Sequence, residues 1–154
     1  MTQTNPGVVQ HQDLFHTGTV VDDLATAKDE LGSALGVGWH EGGAEVWLTD
    51  ATGERTVQTA YVLSVEGPHH VELVQSVPDT VWSAPAPGHA HHLGYWVDDV
   101  TAAAAELIQR GLDQVASVSH KRGGRPMCTY HRSPNGLYLE IVSRALRPVL
   151  LPTT

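Results

Sequence analysis

Two histidines and two glutamates stand at corresponding places in the two halves of this chain, and together they could hold a metal ion. The segment FHTGTVVDDLATAKDEL, beginning at Phe15, returns 76 positions later as HHLGYWVDDVTAAAAEL, beginning at His91. Under that offset His16 falls on His92, Gly18 on Gly94, Val21 on Val97, and Asp22-Asp23 on Asp98-Asp99. Each copy closes on an alternating run built around a carboxylate: His70-Val71-Glu72-Leu73-Val74 in the first, Tyr138-Leu139-Glu140-Ile141-Val142 in the second. An unpaired carboxylate in such an apolar run would cost several kcal/mol. A shared cation is the simplest compensation, and an ion pair with Arg125 or Arg132 is the alternative. Two imidazole nitrogens and two carboxylate oxygens suit Zn, Ni, Co, Fe or Mn, and spacing alone does not separate these.

The elements that must position these four residues can be read from the same repeat. Residues 14–21 carry the β-branched alternation of a strand, with His16 and Gly18 on one face. Asp22 or Asp23 then makes an N-cap, and Leu24, Ala27, Leu31 and Leu35 recur at helical spacing up to Gly36. Strands follow at 46–48, 56–65 and 70–75, with a turn at 50–53. The second copy repeats the order: strand 91–97, helix 101–110 with Gly111 as its cap, and strands at 114–119, 126–131 and 137–142. Ser133-Pro134-Asn135-Gly136 is a turn with Asn-Gly in its favoured place. Residues 78–88 hold three of the nine prolines and read as a linker. The organisation expected is a first module over 13–77, the linker, and a second module over 89–144, all within one structural domain. Residues 1–12 show no period and read as a loose arm.

Each module is thus strand, helix, then three strands, an α+β arrangement. One helix covers only one face of a four-stranded sheet, so the other face needs a partner or a ligand. Two curved sheets side by side leave a cleft. Period two would bring His16, His92, Glu72 and Glu140 to its lining. A repeat of this length is not a solenoid, whose units run about 20–50 residues in at least three copies.

Composition narrows the function. The net charge of −8 and only 17% charged residues argue against a nucleic-acid partner. Lys121, Arg122 and Arg125 suffice for one anionic small molecule but not for a duplex. A single cysteine, Cys128, excludes an internal disulfide and fits a reducing compartment. No stretch approaches the ~20 apolar residues of a membrane span, and the N-terminus lacks the layout of a signal peptide. The expected location is cytoplasmic.

At HTGTVVDDL, HHLGYWVDDV and SPNGLYLEIV the chain closely resembles the vicinal oxygen chelate superfamily, which holds glyoxalase I, methylmalonyl-CoA epimerase, bleomycin and fosfomycin resistance proteins and extradiol dioxygenases. The patterns are those of its glyoxalase and epimerase branch, and the resemblance covers residues 13–144. It implies two βαβββ modules forming a curved mixed-sheet cleft, one divalent metal ion, and His16, Glu72, His92 and Glu140 as the ligands. His92 is preferred to His91 because it stands six residues before an aspartate, as His16 does. Bleomycin-binding relatives lack the ligands, and the dioxygenases leave open the corner that Glu72 would fill. The acidic stretch that carries a catalytic glutamate in the epimerases is replaced here by Gly53-Glu54-Arg55-Thr56, so methylmalonyl-CoA is not implied.

The resulting expectation is a metal-dependent isomerase, epimerase or lyase. It would move a proton next to a metal-chelated carbonyl of a small oxygenated molecule. In glyoxalase-like relatives a ligand glutamate doubles as base, which assigns Glu140 and Glu72 both roles, with Glu54, His131 and His120 in reserve. His69, His70, His89 and His91 read as surface or supporting residues, Tyr130 and His131 as alternatives for facing the cleft, and Trp96 as a contact for a flat substrate. The rival reading is a non-catalytic protein that sequesters a drug or natural product, and a dioxygenase comes third. Relatives sometimes build the site from two chains, which leaves a homodimer open.

Overall fold

The computed structural model describes residues 6–83 and 90–153. Ten strands form one curled mixed sheet: β1 (Leu14–Val21), β2 (Trp39–Gly42), β3 (Glu45–Asp50), β4 (Gly53–Gln58), β5 (Tyr61–Ser64), β6 (His70–Gln75), β7 (His92–Val97), β8 (Asp113–Ser119), β9 (Cys128–Arg132) and β10 (Tyr138–Ser143). Their spatial order is β2-β5-β6-β1-β7-β10-β9-β8-β3-β4. The two copies of the repeat meet at the centre, where β1 runs antiparallel to β7 with His16 opposite Gly94 and Gly18 opposite His92. Each central strand has a parallel neighbour carrying the carboxylate: β6 beside β1, β10 beside β7.

Helix α1 (Leu24–Leu35) starts on Asp23, whose side chain accepts the Thr26 amide, and stops at Gly36 in the left-handed region (φ 68°). Helix α2 (Val100–Gln109) starts on Asp99, which accepts the Ala102 amide. The repeated aspartate pairs are therefore caps. The helix α2 lays Val100, Ala104 and Leu107 against Val97 and Ile141 on the outer face of the sheet. No residue of α1 is fully buried, and Leu35 at its end is half exposed. The concave face carries its own apolar lining of Val20, Val46, Leu48, Val57, Val74, Ala116, Val118 and Tyr130, closed by Trp82.

The second half follows the expected order of strand, helix and three strands, although β9 begins at Cys128 because Met127 pairs outside the strand. The first half departs from it. Five strands follow α1, because the anticipated strand at 56–65 is split at Thr59-Ala60 and a further strand forms at Trp39–Gly42. The cause is a bend in one long hairpin. Gly43 takes a φ of 144°, and a Cβ there would collide with the backbone of Thr59-Ala60. Below the bend β2 pairs with β5; beyond it β3 leaves that half and pairs with β8. Two expectations outside the sheet also change. Val8 and Val9 of the anticipated loose arm pack against the α2 cluster. A short helix, α3 (Arg147–Leu150), follows β10. Of the anticipated linker, residues 84–89 lie outside the described residues, and residues 78–83 cross the concave face with Trp82 buried.

Candidate metal centre

Four strands deliver four side chains to one point: His16 from β1, Glu72 from β6, His92 from β7 and Glu140 from β10. One ligand atom from each lies within 4.8 Å of all the others. His16 Nε2 is 3.0 Å from His92 Nε2 and 3.0 Å from Glu140 Oε2. His92 Nε2 is 3.1 Å from Glu72 Oε1 and 3.3 Å from Glu140 Oε2, and Glu72 Oε2 is 3.8 Å from His16 Nε2. All four residues are buried, His92 completely.

The register makes this possible at two glycines. Gly18 sits directly opposite His92 and Gly94 directly opposite His16. A Cβ on Gly18 would lie 2.7 Å from His92 Nδ1, and one on Gly94 would lie 2.5 Å from His16 Nε2, with other ring atoms closer still. Each module's glycine therefore makes room for the other module's imidazole. That is why the repeat returns the histidine and glycine together.

The imidazoles and carboxylates of the cluster stabilise one another's charged forms. Burial pushes the Glu140 carboxyl up, but hydrogen bonds and charge from His16 and His92 outweigh it and hold it well below the usual carboxylate range. Burial pulls the His92 imidazole down, yet Glu140 and Glu72 outweigh that and raise it to about 10. Among the described residues His16 Nδ1 is buried without a hydrogen-bond partner, and the ion-pair contacts of Glu140 Oε2 are with the two imidazole Nε2 atoms. His16 Nε2, His92 Nε2 and Glu140 Oε2 lie 3.0–3.3 Å apart, and a Glu72 oxygen completes a set within 4.8 Å. A divalent ion fits this donor set.

Aromatic and apolar groups surround the cluster. Tyr130, paired across from Glu140, faces His92 with ring centroids 5.5 Å apart. Its hydroxyl accepts the Trp82 indole N–H at 3.0 Å. Burial, then the charges of Glu72 and Glu140, push the Tyr61 phenol to about 12. The same causes, burial first and then Glu140, hold the Cys128 thiol well above its ordinary value. Burial, then the charge of Glu140, likewise raises the Tyr130 phenol, so both tyrosines keep their protons.

The reserve bases do not join this cluster. Since Tyr130 faces the cleft, its neighbour His131 points the other way, where Nδ1 donates to the Leu112 carbonyl and the ring is fully buried. His120 is exposed beyond β8. Glu54 lies on the exposed face of β4, paired with Arg122 and receiving the Gly123 amide. Trp96 stacks on Phe15, with centroids 3.6 Å apart, among Val142, Leu146 and Leu150 rather than in the cleft. Among the flanking histidines, His69 bonds Thr17, His70 bonds the Ser64 carbonyl, and His91 touches His92; His89 lies outside the described residues. Burial, then the charge of His92, lowers His91 to about 4. The ring supporting His92 and the Tyr130–Trp82 pair had no distinguishing spacing. Only the doubled glycine was a readable signal.

The comparisons agree with the fold. A methylmalonyl-CoA epimerase from Mycobacterium tuberculosis is 18% identical and superposes with a TM-score of 0.58, covering 92% of this chain and 93% of that one. A variant of the Streptomyces coelicolor methylmalonyl-CoA epimerase, in complex with 2-nitronate-propionyl-CoA, is 20% identical with a TM-score of 0.57, covering 86% of this chain and 94% of that one. A variant of 4-hydroxymandelate synthase from Streptomyces coelicolor is 20% identical with a TM-score of 0.55; 85% of this chain covers 38% of that one. No curated protein matches the chain in sequence. Residues 15–129 match the profile of the Glyoxalase/Bleomycin resistance protein/Dioxygenase superfamily. Its curled double-module sheet and its matched sequence place the chain in that family: it belongs to the Glyoxalase/Bleomycin resistance protein/Dioxygenase superfamily.

Proposed function

We propose that this chain is a metal-dependent isomerase, epimerase or lyase that moves a proton beside a chelated carbonyl of a small oxygenated molecule. The observation that carries the reading is the convergence of His16, Glu72, His92 and Glu140 on one buried point. These four residues would hold one divalent ion, Zn, Ni, Co, Fe or Mn by donor type. When bound, the ion would act as a Lewis acid on a carbonyl that carries a neighbouring oxygen.

The chain's own groups supply the rest. Glu140 is ionised while it lies against the two imidazoles, and burial is the largest influence on it. A Glu140 carboxylate that swings away from them keeps the burial and loses the compensation, so its proton affinity climbs. That is what a base needs in order to take a proton from carbon and return it. Glu72, with 8% exposure, is the corresponding carboxylate of the first module. Tyr61, Tyr130 and Trp82 exclude water from the apolar wall.

The test is solvent-proton exchange in deuterated buffer with 2-oxo aldehydes as glutathione adducts, acyl-CoA thioesters and hydroxyketones. A relative's complex with an acyl-CoA analogue supports including the thioesters. Glu140→Gln or Glu72→Gln should lower turnover by ~10²–10⁴-fold. Exchange unchanged in both variants removes the carboxylates from the mechanism. The apolar wall around Trp82 and Tyr130 supports a second reading, a cleft that sequesters an aromatic natural product. Tight binding of such a compound, with no exchange on any substrate class, would favour it.

A further inference from the structure

The two histidines of the cluster are related by the repeat, yet only one is supported from behind. Among the described residues His16 Nδ1 has no hydrogen-bond partner. His92 Nδ1 lies 2.8 Å from His91 Nδ1, and His91 Nε2 lies 2.7 Å from the Val81 carbonyl oxygen. A carbonyl only accepts, so His91 Nε2 carries a proton. His91 is 4% exposed, has no carboxylate on either nitrogen, and is walled by the rings of Tyr138 and Tyr130. With Nε2 donating to the carbonyl, the tautomer that this contact selects has Nδ1 as its acceptor. The proton in the 2.8 Å contact then belongs to His92 Nδ1, and His92 Nε2 faces Glu72 and Glu140.

We propose that His91 is a positioning residue: it accepts the His92 Nδ1–H, so that Nε2 is the nitrogen His92 turns to the cluster, and it anchors that arrangement on the Val81 carbonyl. The inference rests on the metal-site reading above. Its outer end is the segment that lies over the concave face. Within one turn of Val81, Trp82 donates to the Tyr130 hydroxyl and Arg55 donates to the Asp79 carbonyl at 2.7 Å. The hydrogen-bond chain therefore runs from that segment to a ligand nitrogen. Among the described residues the symmetry-related His16 has no such chain, which makes His92 the pre-oriented ligand of the pair.

Two measurements test this. Zinc affinity is measured by competition with a chromophoric chelator for wild type, His91→Phe and His91→Asn. Phenylalanine keeps the ring and loses both hydrogen bonds, and should weaken binding ~10–100-fold, as loss of such support typically does. Asparagine keeps an acceptor near the Nδ1 position and should recover most of the affinity. His91→Phe binding zinc as tightly as wild type overturns the proposal. A long-range proton–nitrogen spectrum of the wild type, with and without zinc, reads the tautomers directly and needs no variant. Protons on His91 Nε2 and His92 Nδ1 are expected; a proton on His91 Nδ1 overturns the proposal. If wild type takes up no zinc or other divalent ion, the metal-site reading fails, while the His91 tautomer is still read from the metal-free spectrum.

Discussion

Replacing Gly94 by alanine should disable the proposed metal centre without unfolding the protein. The added Cβ would stand 2.5 Å from His16 Nε2 and closer still to its Cε1 and Nδ1. Ordinary contact needs ~3.5 Å, so the imidazole must retreat by about 1 Å or more. Ligand bonds tolerate only about ±0.2 Å, which the retreat exceeds roughly fivefold. His16 is 1% exposed, so little free space lies behind it, and the crowding should cost ~1–3 kcal/mol of stability. At this size that lowers the melting temperature by roughly 2–4 °C per kcal/mol. Zinc affinity should fall at least ~100-fold, the upper end of what loss of support alone does. The assay is zinc titration by calorimetry, beside a melting curve by circular dichroism. A folded Gly94→Ala protein with wild-type zinc affinity would refute the claim that the repeated glycine exists to seat the opposing histidine. Gly18→Ala should behave alike through His92.

Other outcomes follow from the same geometry. His92 is held protonated in the metal-free protein up to about pH 10, so zinc uptake should release close to one proton between pH 7 and 9. Apparent affinity should then rise about tenfold per pH unit in that range, measured by titration in buffers of different ionisation heat. The raised His92 contributes to metal-free stability below its unfolded value near 6.5, and that contribution disappears as pH climbs through about 10. Glu140, held low, contributes above its unfolded value of 4.5 and loses that as acid protonates it, so melting should be depressed at both pH extremes. Tyr130→Phe leaves the buried Trp82 indole N–H unpaired and should cost ~1–3 kcal/mol, read from denaturant melts. Asp99→Ala removes the acceptor for the Ala102 amide and should cost ~0.5–2 kcal/mol.

The repeat made much of the site readable, because duplication turns isolated residues into pairs. A histidine on a strand says little, but His16 and His92 at one offset, each with a glycine two places on, define a register, and β1 against β7 has that register. Strand periodicity also assigned Glu72 and Glu140 to the cluster's side. Periodicity failed where a choice between faces or a bend decides the matter. Tyr130 and His131 alternate, and only the packing of Trp82 against Tyr130 shows which one turns inward. Glu54 lies on the outer side of β4 because Val57, of opposite parity, is the residue that packs into the concave lining. The hairpin bend hangs on Gly43, one of fifteen glycines and not marked out by any pattern. His91 was legible only as the neighbour of a ligand, since a hydrogen bond to a carbonyl ten residues away leaves no trace in spacing.

The bent hairpin has a consequence in time. Its tip, β3 with Val46 and Leu48 and β4 with Val57, finds its sheet partner in β8, about seventy residues further along the chain. During synthesis these apolar side chains emerge well before the strand that receives them, and β1 likewise waits for β7. The first half therefore leaves the ribosome as an unfinished sheet with an open central edge, a state prone to association with other chains. The sheet can be completed only after β7 to β10 have been made, when the hairpin tip can dock on β8. Contacts so distant in sequence slow that step. A chain arrested before β8 would hold both histidines yet leave the hairpin tip without its partner strand.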